Sequence, residues 1–123
     1  MKIIEPYFRF SDDRGGMLGI VNEGEWQEIN LVDSQAGAVR GGHYHRRTRE
    51  LFHIIDGRIR VEVTDLEGRV LVERHVSGGD TLVVEPGEVH TFHCETPCRW
   101  INVLSRRIDP EAPDIWRPEG GAG

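Results

Sequence analysis

The chain has 123 residues, 37% of them hydrophobic and 15 of them glycine, with a formal net charge of −6 at pH 7. That length fits one domain, and that composition excludes a chain disordered throughout. The acidic balance argues against general nucleic-acid binding, and no apolar run is long enough to cross a membrane as a helix.

From the start, Met1 to Arg14 carries a proline, a glutamate and two aspartates and lacks the apolar stretch of a signal peptide, so a cytoplasmic protein is expected. Met17–Val21 and Glu28–Val32 are the first, weaker strand candidates. The turn residues Asp33 to Gly37 follow, and then a segment rich in histidine and arginine, Gly37 to Glu50. Arg58 to Val63 alternates strictly and puts Ile59, Val61 and Val63 on one face. Val70–Val76, Thr81–Val84 and Arg99–Leu104 are further strands. Asp56-Gly57, Leu66-Glu67-Gly68, Ser77 to Asp80 and Glu85 to Glu88 separate them with turn chemistry. No stretch of ten residues has a clean helical period. Many short strands broken by Gly and Pro predict an all-β sandwich or barrel. Aromatics are only 7%, so Val, Ile and Leu must supply most of the core. Residues 1–115 are read as the single domain and 116–123 as a flexible tail.

One constellation carries chemistry. His43 and His45 are two residues apart, so on a strand they aim at one point. Glu50 follows after Arg46 to Arg49, room for a turn, and can return a carboxylate to that point. His90 opens another strand after the Pro86-Gly87 turn. Three imidazoles and a carboxylate suit one divalent ion, with zinc first and Fe, Mn, Ni or Co as alternatives. The competing reading makes these histidines hydrogen-bonded core groups or exposed ones. Cys94 and Cys98 are read as two reduced structural thiols.

The pattern Gly37, His43, His45, Glu50, Gly57, spaced Gly-x5-His-x-His-x4-Glu-x6-Gly, resembles the first cupin motif in full. Gly79, Gly87 and His90 resemble the second motif. Glu85 stands there in place of its proline and Cys94 in place of its asparagine. The resemblance implies a double-stranded β-helix, the cupin jelly-roll barrel, with His43, His45, Glu50 and His90 as ligands inside one end. Asp12-Asp13-Arg14-Gly15 and Val39 to Tyr44 further resemble the nucleotide-sugar branch of cupins. That branch includes the dTDP-sugar 3,5-epimerases and the 3,4-ketoisomerases. Trp100 to Val103 and Ala112-Pro113-Asp114 are most similar to the C-terminal cupin domain of bifunctional capsular-polysaccharide enzymes. In the epimerases and ketoisomerases the histidine matching His43 is the catalytic base of a site without metal. In the capsular type it binds metal, and Glu50 favours that role.

This resemblance implies a metal-binding epimerase or isomerase of a 4-keto-6-deoxy nucleotide sugar. The alternatives are a metal-dependent oxygenase or other small-acid cupin enzyme, and a non-catalytic sugar-binding module. Arg40, Arg46, Arg47 and Arg49 are four guanidinium groups within ten residues, and Arg forks match phosphate oxygens. Arg14 and Arg40 are assigned to substrate, with Phe92 lining the pocket. Arg46, Arg47 and Arg49 taken singly read as a solvated loop. Tyr44 is the candidate acid. His53 is the candidate base if the strand twists it inward, although alternation places it outside. His93 is out of phase with His90, and His75 reads as a surface histidine. A homodimer is expected, since small barrels leave open strand edges, and the branch commonly pairs an N-terminal strand, here Lys2 to Phe10.

Overall fold

The computed structural model describes residues 1–118. Eleven strands follow in chain order: β1 (Lys2–Ile4), β2 (Phe8–Asp12), β3 (Gly15–Gly19), β4 (Glu28–Ser34), β5 (Val39–His43), β6 (Glu50–Asp56), β7 (Arg58–Thr64), β8 (Val70–Ser77), β9 (Thr81–Val84), β10 (Val89–Cys94) and β11 (Cys98–Leu104). Among the described residues there is no helix, and so none long and apolar enough to cross a membrane. The strands form a five-stranded sheet, β1-β9-β6-β11-β4, a four-stranded sheet, β5-β10-β7-β8, and a separate β2-β3 hairpin. Every pairing is antiparallel. This is the jelly-roll barrel the sequence predicts.

Alternation builds the core. On β7, Ile59, Val61 and Val63 are all 0% exposed, while Arg58, Arg60 and Glu62 face away. Phe52 and Ile54 of β6, Leu82 and Val84 of β9, Phe92 of β10 and Trp100 of β11 meet them from the other strands. Cys94 and Cys98 join this cluster as free thiols, and burial next to Cys98 pushes the Cys94 thiol up to about 11. Cys94 is therefore a protonated apolar filler rather than a reactive group.

The expected N-terminal strand, Lys2 to Phe10, is two strands instead. Pro6 lies between them and has no N–H to give a ladder. β1 pairs with β9 of its own chain, and β2 folds back on β3.

Two irregularities position the site. In β5, His90 pairs with His43 and Thr91 with Gly41, so Gly42 is an extra residue, a β-bulge. Gly41 and Gly42 both have positive φ, and a Cβ on Gly41 would lie 2.5 Å from the His90 carbonyl oxygen. Only glycine fits there. The bulge reverses the phase of β5, so Arg40 and His43, three residues apart, both reach the barrel interior. The second irregularity is a strap after β11. Tyr44 and Trp116 exchange backbone hydrogen bonds of 2.9 Å each way, so fixed packing extends past residue 115. The rest of the expected tail, 119–123, lies outside the described residues.

Candidate metal centre

His43, His45, Glu50 and His90 converge inside one end of the barrel, with one ligand atom from each within 4.8 Å of the others. β5 and β10 supply His43 and His90 directly opposite one another. β6 supplies Glu50 as its first residue, next to Leu104 of β11 and Val84 of β9. His45 lies two residues beyond the end of β5, held extended by the Tyr44–Trp116 bridge. Glu50 Oε1 is the hub, 2.9 Å from His45 Nε2 and 3.2 Å from His90 Nε2.

The surrounding carbonyls set the tautomers. His45 Nδ1 donates to the Asp114 carbonyl at 2.6 Å, and His90 Nδ1 donates to the Glu88 carbonyl at 3.2 Å. Each ring therefore turns its Nε2 toward Glu50 and the centre of the cluster, the orientation second-shell carbonyls give to ligating histidines. Asn102 Nδ2 donates to the other Glu50 oxygen, and Asn30 Nδ2 donates to Asn102 Oδ1 at 3.0 Å. Every buried polar group near the centre is thus tied in place.

Electrostatics favour a cation. Burial pushes the Glu50 carboxyl up, but His45 and His90 outweigh it and bring it down to about 2. Glu50 is therefore ionised at neutral pH. Burial, with the charges His90 and His45 can carry, lowers His43 to about 4, so His43 is neutral. Burial lowers His45, but Glu50 and the Asp114 carbonyl more than offset it and raise it overall. An anionic carboxylate among three imidazoles whose lone pairs can converge fits one divalent ion, and these four residues are the ones that would hold it.

The centre opens into a cavity of about 410 Å³, walled by Phe52, Phe92 and Trp100, with Arg40 and Arg117 in its lining. Phe92 packs at a tilt against Phe52, 4.6 Å centroid to centroid, and edge-on to Trp100 at 5.4 Å. Arg40 is braced by Ser34 Oγ and the Asp33 carbonyl, each at 3.0 Å. Arg117 Nη1 donates to the carbonyls of Gly41 and Gly42 at 3.1 Å.

The sequence candidates divide. His43, Glu50, His90, Arg40 and Phe92 come together at this cavity, and His45 completes the four-donor cluster behind it. Arg14 does not: it pairs with Asp12 at 2.6 Å in the β2–β3 turn. Tyr44 is buried and lines neither this cavity nor its mouth. His53 is on the outer face of β6, with its ring bonded to Thr81 Oγ1 at 2.8 Å. The pairing register of β6 is continuous from Glu50 through Ile54, so no bulge turns His53 inward. His75 is exposed against Glu95, as expected.

Three residues were missed. Asn102 left a signal, a lone polar residue in phase with Trp100 and Leu104 on a core strand. Asp114 and Arg117 left none, because their partners are some 66 to 76 residues away in the chain. Asp114 carries much of the local order. Its carboxylate accepts from the amides of Arg46, Arg47 and Thr48 at 2.8–3.0 Å, from Thr48 Oγ1 and from the Trp116 indole. Partial burial pushes Asp114 up, but these donors hold it well below the usual carboxylate range.

A family model described as Cupin domain matches residues 30–104. A UDP-2-acetamido-2,6-beta-L-arabino-hexul-4-ose reductase of Pseudomonas aeruginosa is 26% identical over 117 residues, covering 92% of this chain and 32% of the reductase. The capsular polysaccharide assembling protein CapF of Staphylococcus aureus superposes with a TM-score of 0.69 at 21% identity, covering 89% of this chain and 33% of CapF. The dTDP-4-dehydrorhamnose 3,5-epimerase of Elizabethkingia anophelis superposes at 0.75 with 21% identity, covering 92% of this chain and 72% of the epimerase. The chain thus spans about a third of the reductase and of CapF, and most of the epimerase.

Proposed function

The chain belongs to the cupin domain family, and from that premise we propose that it epimerises or isomerises a 4-keto-6-deoxy nucleotide sugar with a divalent ion held by His43, His45, Glu50 and His90. One observation carries the reading: a four-donor centre at the base of a cavity that also holds two arginines. Relatives that act on nucleotide sugars share the fold, including an epimerase of Legionella pneumophila in complex with dTDP-4-keto-L-rhamnose. When bound, the ion supplies polarisation of a ketone oxygen, which lowers the barrier to removing the neighbouring proton.

The chain's own residues do the rest. Arg40 and Arg117 take the diphosphate, where guanidinium forks match phosphate oxygens. Phe52, Phe92 and Trp100 form a dry wall for the sugar ring. Tyr44 and His53 stand outside the cavity, so neither is assigned the proton. A second reading makes His43 the proton acceptor and leaves the ion to the other three. It is favoured because His43 alone of the four is half-buried and has no hydrogen bond to Glu50. Its neutral form at pH 7 is the form that accepts a proton.

Incubation of dTDP-4-keto-6-deoxy sugars in D2O tests the proposal. Deuterium is expected at C3 or C5 with or before net conversion. Exchange that survives in metal-free Glu50→Gln protein selects His43 as the base. No exchange with any keto-sugar at full metal loading overturns the isomerase reading in favour of an oxygenase or a binding module.

A further inference from the structure

A second cavity, of about 430 Å³, has His45 in its wall and otherwise lies between the 46–48 loop and the C-terminal strap. It shares no lining residue with the metal cavity. Arg46, Arg47, Arg106 and Arg107 all line it. These are four guanidinium groups around one hollow in a chain of net charge −6.

Five of the ten arginines outside this cavity are paired. Arg14, Arg49, Arg58, Arg60 and Arg99 each form an ion pair. None of the four cavity arginines forms one among the described residues. The two carboxylates in the wall are engaged otherwise: Asp114 on the loop amides, and Asp109 Oδ1 on the Glu111 amide at 2.9 Å. Arg107 is near enough to help lower the Glu28 carboxyl, whose shift comes first from Asn30, but the two are not within ion-pair distance. The Arg46 guanidinium carbon sits over the Trp116 indole, 3.5 Å from the ring centroid, a contact that favours one placement of this guanidinium in advance. Four guanidinium groups against the two wall carboxylates leave the hollow net positive, and clustered like charges lower their energy by taking an anion. Leu104, Ile108 and the Trp116 indole add an apolar surface for an organic group.

We propose that this cavity binds a phosphorylated organic anion of the diphosphate class, at a site separate from the metal cavity. Four forked cations match several phosphate oxygens at once, and the volume is that of a small-molecule site. This inference does not depend on the isomerase reading.

The test uses the full chain, metal-free, titrated with inorganic pyrophosphate and followed by proton–nitrogen NMR. Three tryptophans give three indole signals, Trp26, Trp100 and Trp116. Trp116 lines the arginine cavity, and Trp100 lines the metal cavity. The Trp116 indole, bonded to Asp114, is expected to shift saturably together with the Arg47 and Thr48 amides. Arg106→Ala with Arg107→Ala is expected to weaken that titration about tenfold or more. Both residues are exposed, and unmoved Trp26 and Trp100 signals report that the variant is folded. The proposal is overturned if the Trp116 indole does not shift at millimolar pyrophosphate, or if its titration is unchanged in the double variant. A Trp100 shift reports anion in the metal cavity, and if it appears without a Trp116 shift the proposal also falls.

Discussion

Replacing Glu50 by Gln keeps the shape of the hub and removes its charge. Glu50 Oε1 faces both His45 and His90, and its second oxygen takes the Asn102 amide. A ligand that binds only the folded chain stabilises it by RT ln(1 + [L]/Kd), about 2.7 kcal/mol at a hundred times Kd. For a domain between the size classes for which such slopes are known, 1 kcal/mol moves Tm by roughly 3–6 °C. Zinc at that excess is therefore expected to raise the melting temperature of the native chain by about 8–16 °C. Second-shell changes already cost about 10- to 100-fold in metal affinity, so loss of the anionic ligand should cost at least the upper end. At a hundredfold weaker Kd the same zinc contributes only about 0.4 kcal/mol, or roughly 1–2 °C. Differential scanning calorimetry with and without zinc measures both shifts. Each is taken against the same protein without metal, so any intrinsic cost of the substitution cancels. A variant that keeps the full zinc shift refutes Glu50 as a ligand, and a native chain with no shift for Zn, Fe, Mn, Ni or Co refutes the metal centre itself.

Metal-free protein is expected to lose stability as pH falls from 6.5, in urea titrations. His43 is held to about 4, so the unfolded chain binds its proton first and stability drops between 6.5 and 4; His43→Gln should make that limb shallower, leaving the part that burial of His53 contributes. Glu50, held to about 2, stabilises fully above its ordinary 4.5 and loses that contribution between 4.5 and 2. Asp114→Ala strips the acceptor from three amides, a hydroxyl and an indole at a partly solvated site, and should cost about 2–3 kcal/mol with a fall in zinc affinity; unchanged affinity would show that His45 does not need the strap. Phe92→Ala, at a side chain 2% exposed between Phe52 and Trp100, should cost about 3–5 kcal/mol in denaturant midpoint. Light scattering should give twice the chain mass, with Phe10→Glu returning it to one, because the β2–β3 hairpin leaves Phe8, Phe10 and Met17 43%, 50% and 64% exposed; a native mass of one chain would contradict this.

Arg58 to Val63 was legible because one of its faces is apolar and the other charged. Thr81–Val84 agrees residue for residue, and Arg99–Leu104 gains only Cys98. The exposed N-terminal hairpin was legible only in part, as Met17–Val21, since all five β2 residues are exposed and give alternation nothing to read. The four donors were readable from spacing together with the motif, yet the i, i+2 argument held for a reason it did not contain. His45 is past the end of β5, and a bridge to Trp116 keeps the chain extended there. The same alternation would have put Arg40 and His43 on opposite faces. Only the Gly41-Gly42 bulge brings them together, and a bulge is a property of pairing with β10. Asp114 was unreadable in that sense too, since all its partners but Trp116 lie far away in the chain.

Asp114 also shows why the two cavities are not independent pieces of structure. Its carbonyl takes the His45 Nδ1 proton, so it decides that Nε2 is the nitrogen turned toward Glu50. Its carboxylate holds the Arg46, Arg47 and Thr48 amides, so it shapes the loop whose arginines line the second cavity. One residue thus serves the metal centre with its main chain and the cationic hollow with its side chain. A strap displaced far enough to free the loop also removes the acceptor from His45. Substitution of the carboxylate alone leaves that carbonyl chemically intact, so its effect on metal must travel through the position of the strap. Comparing Asp114→Ala with Asp114→Asn separates the two: the amide retains one acceptor for the loop, and zinc affinity should follow how much of the loop remains anchored.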